Sequence, residues 1–135
     1  MVRTTIWPLT LSIMVSVLAA CRSGGPKTVI VNEQNADSTV KLHKSDILEL
    51  ALVSNPSTGY IWEPQFLDTT VLRQKGDMDF KSDRSDTGFS GSPGKLTMRF
   101  EAIGSGKKTL QMIHHQPWDS GAPPTQTFKM TVVVN

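Results

Sequence analysis

Three stretches of this chain carry residue types that enzymes use, and none has the spacing. Gly104-Ser105-Gly106-Lys107-Lys108-Thr109 ends like a phosphate-binding loop, but Glu101 stands where the upstream glycine is required and Lys108 where the hydroxyl residue should follow the lysine. Gly88-Phe89-Ser90-Gly91-Ser92 fails as a nucleophile elbow because Ser92 takes the place of the last glycine. His114 and His115 are neighbours near the end of a strand pattern, so their side chains point to opposite faces, and His43 is the only other histidine. No nucleophile, base and orienting group can be assembled, and the expectation is a non-enzymatic protein with no metal and no cofactor.

What remains is a chemistry of presentation rather than reaction. Asn55-Pro56-Ser57-Thr58-Gly59-Tyr60 is a stiff polar loop between two apolar segments. Pro56 fixes its own φ and pushes Asn55 toward extended geometry, Gly59 permits a backbone turn closed to other residues, and Ser57 and Thr58 offer short hydrogen-bonding side chains. Alone, the hexapeptide also reads as an ordinary β-turn. Two more long polar loops follow. The stretch 83–95 contains Gly91-Ser92-Pro93-Gly94, and the stretch 114–124 contains Gln116-Pro117-Trp118. Hairpin connections usually need two to five residues, so the extra length calls for a use. Trp118 is either a binding anchor or a cap folded back over the end of the core, and these readings stay open.

The elements that must hold these loops alternate with period two. Leu48, Leu50 and Leu52 set one strand, Leu96, Met98, Phe100 and Ala102 a second, and Phe128, Met130, Val132 and Val134 a third. Val29 to Val31, Thr39 to Leu42, Tyr60 to Trp62 and Leu110 to Ile113 are further strands; Leu67 to Arg73 fits a helical turn or a strand; Trp62 reads as core. Such short strands separated by Gly, Pro, Asp and Ser predict an all-β fold, an antiparallel sandwich.

The ends bound the setting. Arg3 precedes an uncharged, mostly apolar run from Ile6 to Leu18, then Ala19, Ala20 and Cys21, which is the layout of a secretory signal. Leu18-Ala19-Ala20-Cys21 also resembles the bacterial lipoprotein lipobox, which implies cleavage after residue 20 and acylation of Cys21, the chain's one cysteine. The organisation expected is a signal over residues 1–20, a flexible tether over 21–27 and one domain over 28–135, monomeric and held at the bacterial cell envelope by lipid. The chain has 14 Lys and Arg against 12 Asp and Glu; removing Arg3 leaves 13 against 12, a formal +1. That balance argues against a nucleic-acid partner.

Together the three loops resemble those of the chagasin-type inhibitors of papain-like cysteine peptidases. The first is similar to that family's Asn-Pro-Thr-Thr-Gly-Tyr loop, with Ser57 for the first Thr. The second stands where the family has Gly-x-Gly-Gly, with Pro93 replacing a glycine, and the third where it has Arg-Pro-Trp, with Gln116 replacing Arg. The resemblance implies an immunoglobulin-like β-sandwich of about seven to eight strands, with the loops gathered at one end as a wedge. Residues 55–60 would enter a peptidase cleft, Ser57 and Thr58 nearest the catalytic cysteine, while Gly91 to Gly94 and Gln116 to Trp118 grip either side. Inhibition would be reversible. The alternative is a lipid-anchored structural or adhesive envelope module with the same fold and no peptidase affinity.

Overall fold

A computed structural model describes residues 24–84 and 91–135. The signal over residues 1–20, Cys21 and most of the elbow-like stretch 88–92 lie outside the described residues.

The described residues form nine strands: β1 (Thr28–Asn32), β2 (Thr39–Leu42), β3 (Ile47–Ser54), β4 (Ile61–Phe66), β5 (Leu72–Gln74), β6 (Asp79–Ser82), β7 (Gly94–Ala102), β8 (Gly106–His115) and β9 (Gln126–Val134). One sheet has the order β1-β3-β7-β5, with β6 also pairing with β7; the other has the order β2-β9-β8-β4. The expected sandwich is there, but neither sheet is purely antiparallel. β1 pairs parallel with β3, and β2 pairs parallel with β9. Consecutive strands β1 and β2 lie in different sheets, so each reaches a neighbour that runs in its own direction. β5 and β6 take the strand count past the seven or eight expected. The stretch Leu67 to Arg73 resolves into a turn followed by the start of β5.

Period-two alternation places one face of each long strand inside. Leu48 and Leu50 stand opposite Phe100 and Met98 across the β3–β7 register, and all four are fully buried. Leu110, Met112, Phe128, Met130 and Val132 face them from the second sheet. At about 25 cal/mol per Å² of apolar area removed from water, this shared core is the main favourable term holding the sheets together. Trp62 is buried as expected, and its indole N–H donates to the Val53 carbonyl at 2.9 Å, joining β4 to the end of β3 across the sheets. Pro64 sits in β4, an edge strand, where its missing N–H leaves no central ladder bond unmade.

The registers set the polarity of the fold. β3, β6 and β8 run toward one end of the sandwich and β4, β7 and β9 run back from it. The β3–β4, β6–β7 and β8–β9 connections therefore emerge together. The chain enters at the opposite end, where the Lys27 N–H donates to Asp46 Oδ1 at 2.9 Å and the Ile47 N–H donates to the Lys27 carbonyl at 2.8 Å.

Candidate functional site

The first loop is a single 3-10 turn, Pro56–Thr58, on a cap of extended Asn55 (φ −135°, ψ 90°), closed by Gly59 in the left-handed region at φ 79°. Pro56 and Gly59 do what their covalent chemistry dictates. The short side chains are turned inward. Thr58 Oγ1 donates to the Asn55 carbonyl at 2.7 Å, and Ser57 Oγ donates to Asn55 Oδ1 at 2.6 Å. Both hydroxyls thus stiffen the loop they belong to. The Thr58 and Gly59 N–H groups donate at 3.1 Å to the carbonyls of Asn55 and Pro56.

Two hydrogen bonds and one ring join the first loop to the others. Asn55 Nδ2 donates to the Gly91 carbonyl at 2.9 Å, tying it to the middle loop. Gln116 Nε2 donates to the Thr58 carbonyl at 3.5 Å, a long bond from the third loop. Trp118 lies over Gly59: a Cβ built on that glycine would overlap the Trp118 Cη2 and stand 3.0 Å from its Cζ2. The indole is nevertheless 70% exposed. Trp118 is therefore not a cap on the core. It rests on the first loop with most of its surface open.

Asn55, Pro56, Ser57, Thr58, Gly59, Tyr60, Gly91, Ser92, Gln116, Pro117 and Trp118 gather at one end, mostly exposed or half-buried, as does Pro93, whose carbonyl accepts from the Asp83 N–H at 3.2 Å. Gly94 differs. It is buried at the first position of β7 between Ser54 of β3 and Ser82 of β6, and an added Cβ would collide with the Lys81 carbonyl. It fixes the path of the middle loop and offers no surface.

Several residues at this end were not assigned to the loop cluster from sequence. His114 stacks on Tyr60 at a centroid distance of 5.2 Å and lies 5.0 Å from Trp62. Burial, and then the neighbouring charge of His115, hold its ring below the usual imidazole value. The Leu110-Met112-His114 alternation was the available signal, since it puts His114 on the inner face. His115 points to the other side, where Nε2 meets Glu63 Oε2 at 2.7 Å; both histidines are half-buried. Phe80 on β6 lines a shallow depression with Pro56, Ser57 and Ser92. No group of three or more His, Cys, Asp or Glu capable of holding a metal ion occurs among the described residues.

A preorganised cluster of small, proline-braced and aromatic loop residues can bind by shape. Residues 41–132 match the family model described as Chagasin family peptidase inhibitor I42. The chain belongs to the chagasin family. It is thus a peptidase inhibitor and not an enzyme. Amoebiasin-2 of Entamoeba histolytica is 26% identical to this chagasin-family chain over 115 residues, 84% of this chain and 91% of its own length. Amoebiasin-1 of the same organism is 26% identical over 108 residues, 78% of this chain and 96% of its own. The crystal structure of a cysteine protease inhibitor from Entamoeba histolytica, 23% identical, matches with a TM-score of 0.71 over 81% of this chain and 96% of its own, and so shares the chagasin fold.

Proposed function

We propose that this domain is a reversible inhibitor of papain-like cysteine peptidases that fills the active-site cleft with the three loops at one end of its sandwich. The observation that carries the reading is the bracing of the first loop by the other two, through Asn55 to Gly91, Gln116 to Thr58 and Trp118 on Gly59. A wedge built in advance loses little conformational entropy on docking, so more of its contact energy appears as affinity. Ser57 and Thr58 form the tip. Curled in a 3-10 turn, the loop commits the Asn55 and Pro56 carbonyls to its own Thr58 and Gly59 N–H groups, which holds it away from the near-attack alignment that a thiolate needs. The loop thus obstructs the cleft without serving as substrate.

The departures from the family pattern act at the flanks. Gln116 lacks the charge and planar donor fork of arginine, so a contact to an acidic peptidase surface weakens there. Pro93 stiffens the middle loop and removes an N–H. Both changes shift preference among peptidases while leaving the first loop's mode of entry intact.

The reading extends to an envelope lipoprotein, cleaved before Cys21 and anchored through it. Its support is the Leu18-Ala19-Ala20-Cys21 sequence and the entry of the chain at the end opposite the loops, which lets a short tether hold the domain with its wedge turned away from a membrane. The inhibitor reading is tested by titrating papain with residues 22–135. Stoichiometric loss of activity at micromolar inhibitor is expected, with a serine peptidase unaffected; full activity of papain and several of its relatives would overturn it.

A further inference from the structure

His114 occupies the floor of the wedge, where it touches the first loop through Tyr60, the core through Trp62 and the third loop through Thr125. His114 Nε2 is buried with no hydrogen-bond partner, while Nδ1 lies 2.9 Å from Thr125 Oγ1, whose hydroxyl is also within donating distance of the His114 carbonyl at 3.1 Å. The neutral tautomer with its hydrogen on Nδ1 satisfies both contacts and leaves Nε2 bare, so it is the form without an unmatched buried donor. The Thr125 N–H donates to the same His114 carbonyl at 2.9 Å, so ring and backbone pin the root of the third loop together.

We propose that His114 is a positioning residue whose neutral imidazole seats the first loop on the sandwich, so that protonation loosens the wedge and weakens inhibition. A proton added at Nε2 creates a buried donor without an acceptor. The groups facing it supply no counter-charge. Tyr60 and Trp62 present rings at interplanar angles of 23° and 40°, Gln126 is its neutral cross-strand partner, and Val53, Ser54 and Thr125 complete the cleft beside it. His115 and Glu63 are paired with each other on the outer face of the sheet. Ring faces attract a cation, but they accept no in-plane N–H. Burial and the charge of His115 both disfavour the imidazolium, which agrees with this geometry.

The consequence for inhibition rests on the inhibitor reading; the coupling of His114 to the loop does not. His114→Phe keeps a stacking ring and removes the titration. Inhibition constants for wild type and His114→Phe against papain are compared from pH 7.5 to pH 5, the ratio cancelling the peptidase's own titration. A ratio that moves against the wild type by about tenfold, the equivalent of one pKa unit, is expected over that range; a ratio constant with pH overturns the proposal. In parallel, NMR titration of the free wild-type domain follows the His114 ring and the amides of residues 57–60. A shared midpoint is expected. Amides that ignore the His114 midpoint overturn the proposal even if the domain inhibits nothing, which separates its failure from failure of the inhibitor reading.

Discussion

Gly59→Ala should damage inhibition more than stability, and the structure says by how much. At φ 79° an alanine costs about 1–2 kcal/mol of left-handed strain, offset by roughly 0.4–1 kcal/mol from a less flexible unfolded chain. The overlap with Trp118 adds little to that, because an indole that is 70% exposed can swing away. A net loss near 1 kcal/mol lowers Tm by about 4 °C for a domain of this size. Inhibition loses the strain and the seating of Trp118 together. An aromatic anchor at a binding centre carries about 2 kcal/mol or more, a factor of about 30 in the inhibition constant. Trp118→Ala should therefore raise the inhibition constant about 30-fold with Tm almost unchanged. Because both variants remove one shared contact, the double variant should fall far short of the product of the two losses. Progress-curve inhibition of papain and calorimetric melting of all three variants measure this. Losses that multiply, or a Gly59→Ala variant with an unaltered inhibition constant, would refute the reasoning.

Three further outcomes follow from named contacts. Asn55→Asp keeps the acceptor for Ser57 but removes the donor to Gly91, so an inhibition constant raised about threefold to tenfold with little change in Tm is expected, read by the same assay. Gly94→Ala sets a Cβ against the Lys81 carbonyl and the Ser82 Cα, neither of which can swing aside, and should cost about 1–3 kcal/mol in urea unfolding. Asp46 is buried and accepts the His43 N–H at 2.8 Å and the Lys27 N–H at 2.9 Å, which hold its carboxyl below the usual value. A lowered folded value means stability that is present above about pH 4 and lost as pH falls through the folded value. Asp46→Asn should flatten that acid limb of the urea midpoint, and an unchanged limb would show that other carboxylates set it.

The loops were legible in the sequence because their residues act locally. Pro56 and Gly59 impose their turn whatever surrounds them, and the leucines of β3 mark an inner face by alternation alone. Strand direction was not legible: period-two alternation is the same for parallel and antiparallel neighbours, so the pairing of β1 with β3 and of β2 with β9 had no signal. The fate of Trp118 also lay beyond the sequence, because its seat is a missing side chain on Gly59, far away along the chain. Ser57 and Thr58 were rightly read as hydrogen-bonding, but the direction of those bonds, inward to Asn55, depends on the turn having closed. Gly94 matched a loop motif while its neighbours across two strands made it a packing residue.

The central claim is occlusion of a catalytic thiol by the three-loop end, and the alkylation rate of that thiol tests it most directly. Papain is mixed with a slight excess of residues 22–135, iodoacetamide is added, and modification of the active-site cysteine is followed by mass spectrometry. The account predicts strong protection by the wild-type domain and loss of protection with Trp118→Ala at the same concentration. A complex that forms while the thiol is alkylated at its free rate would contradict it.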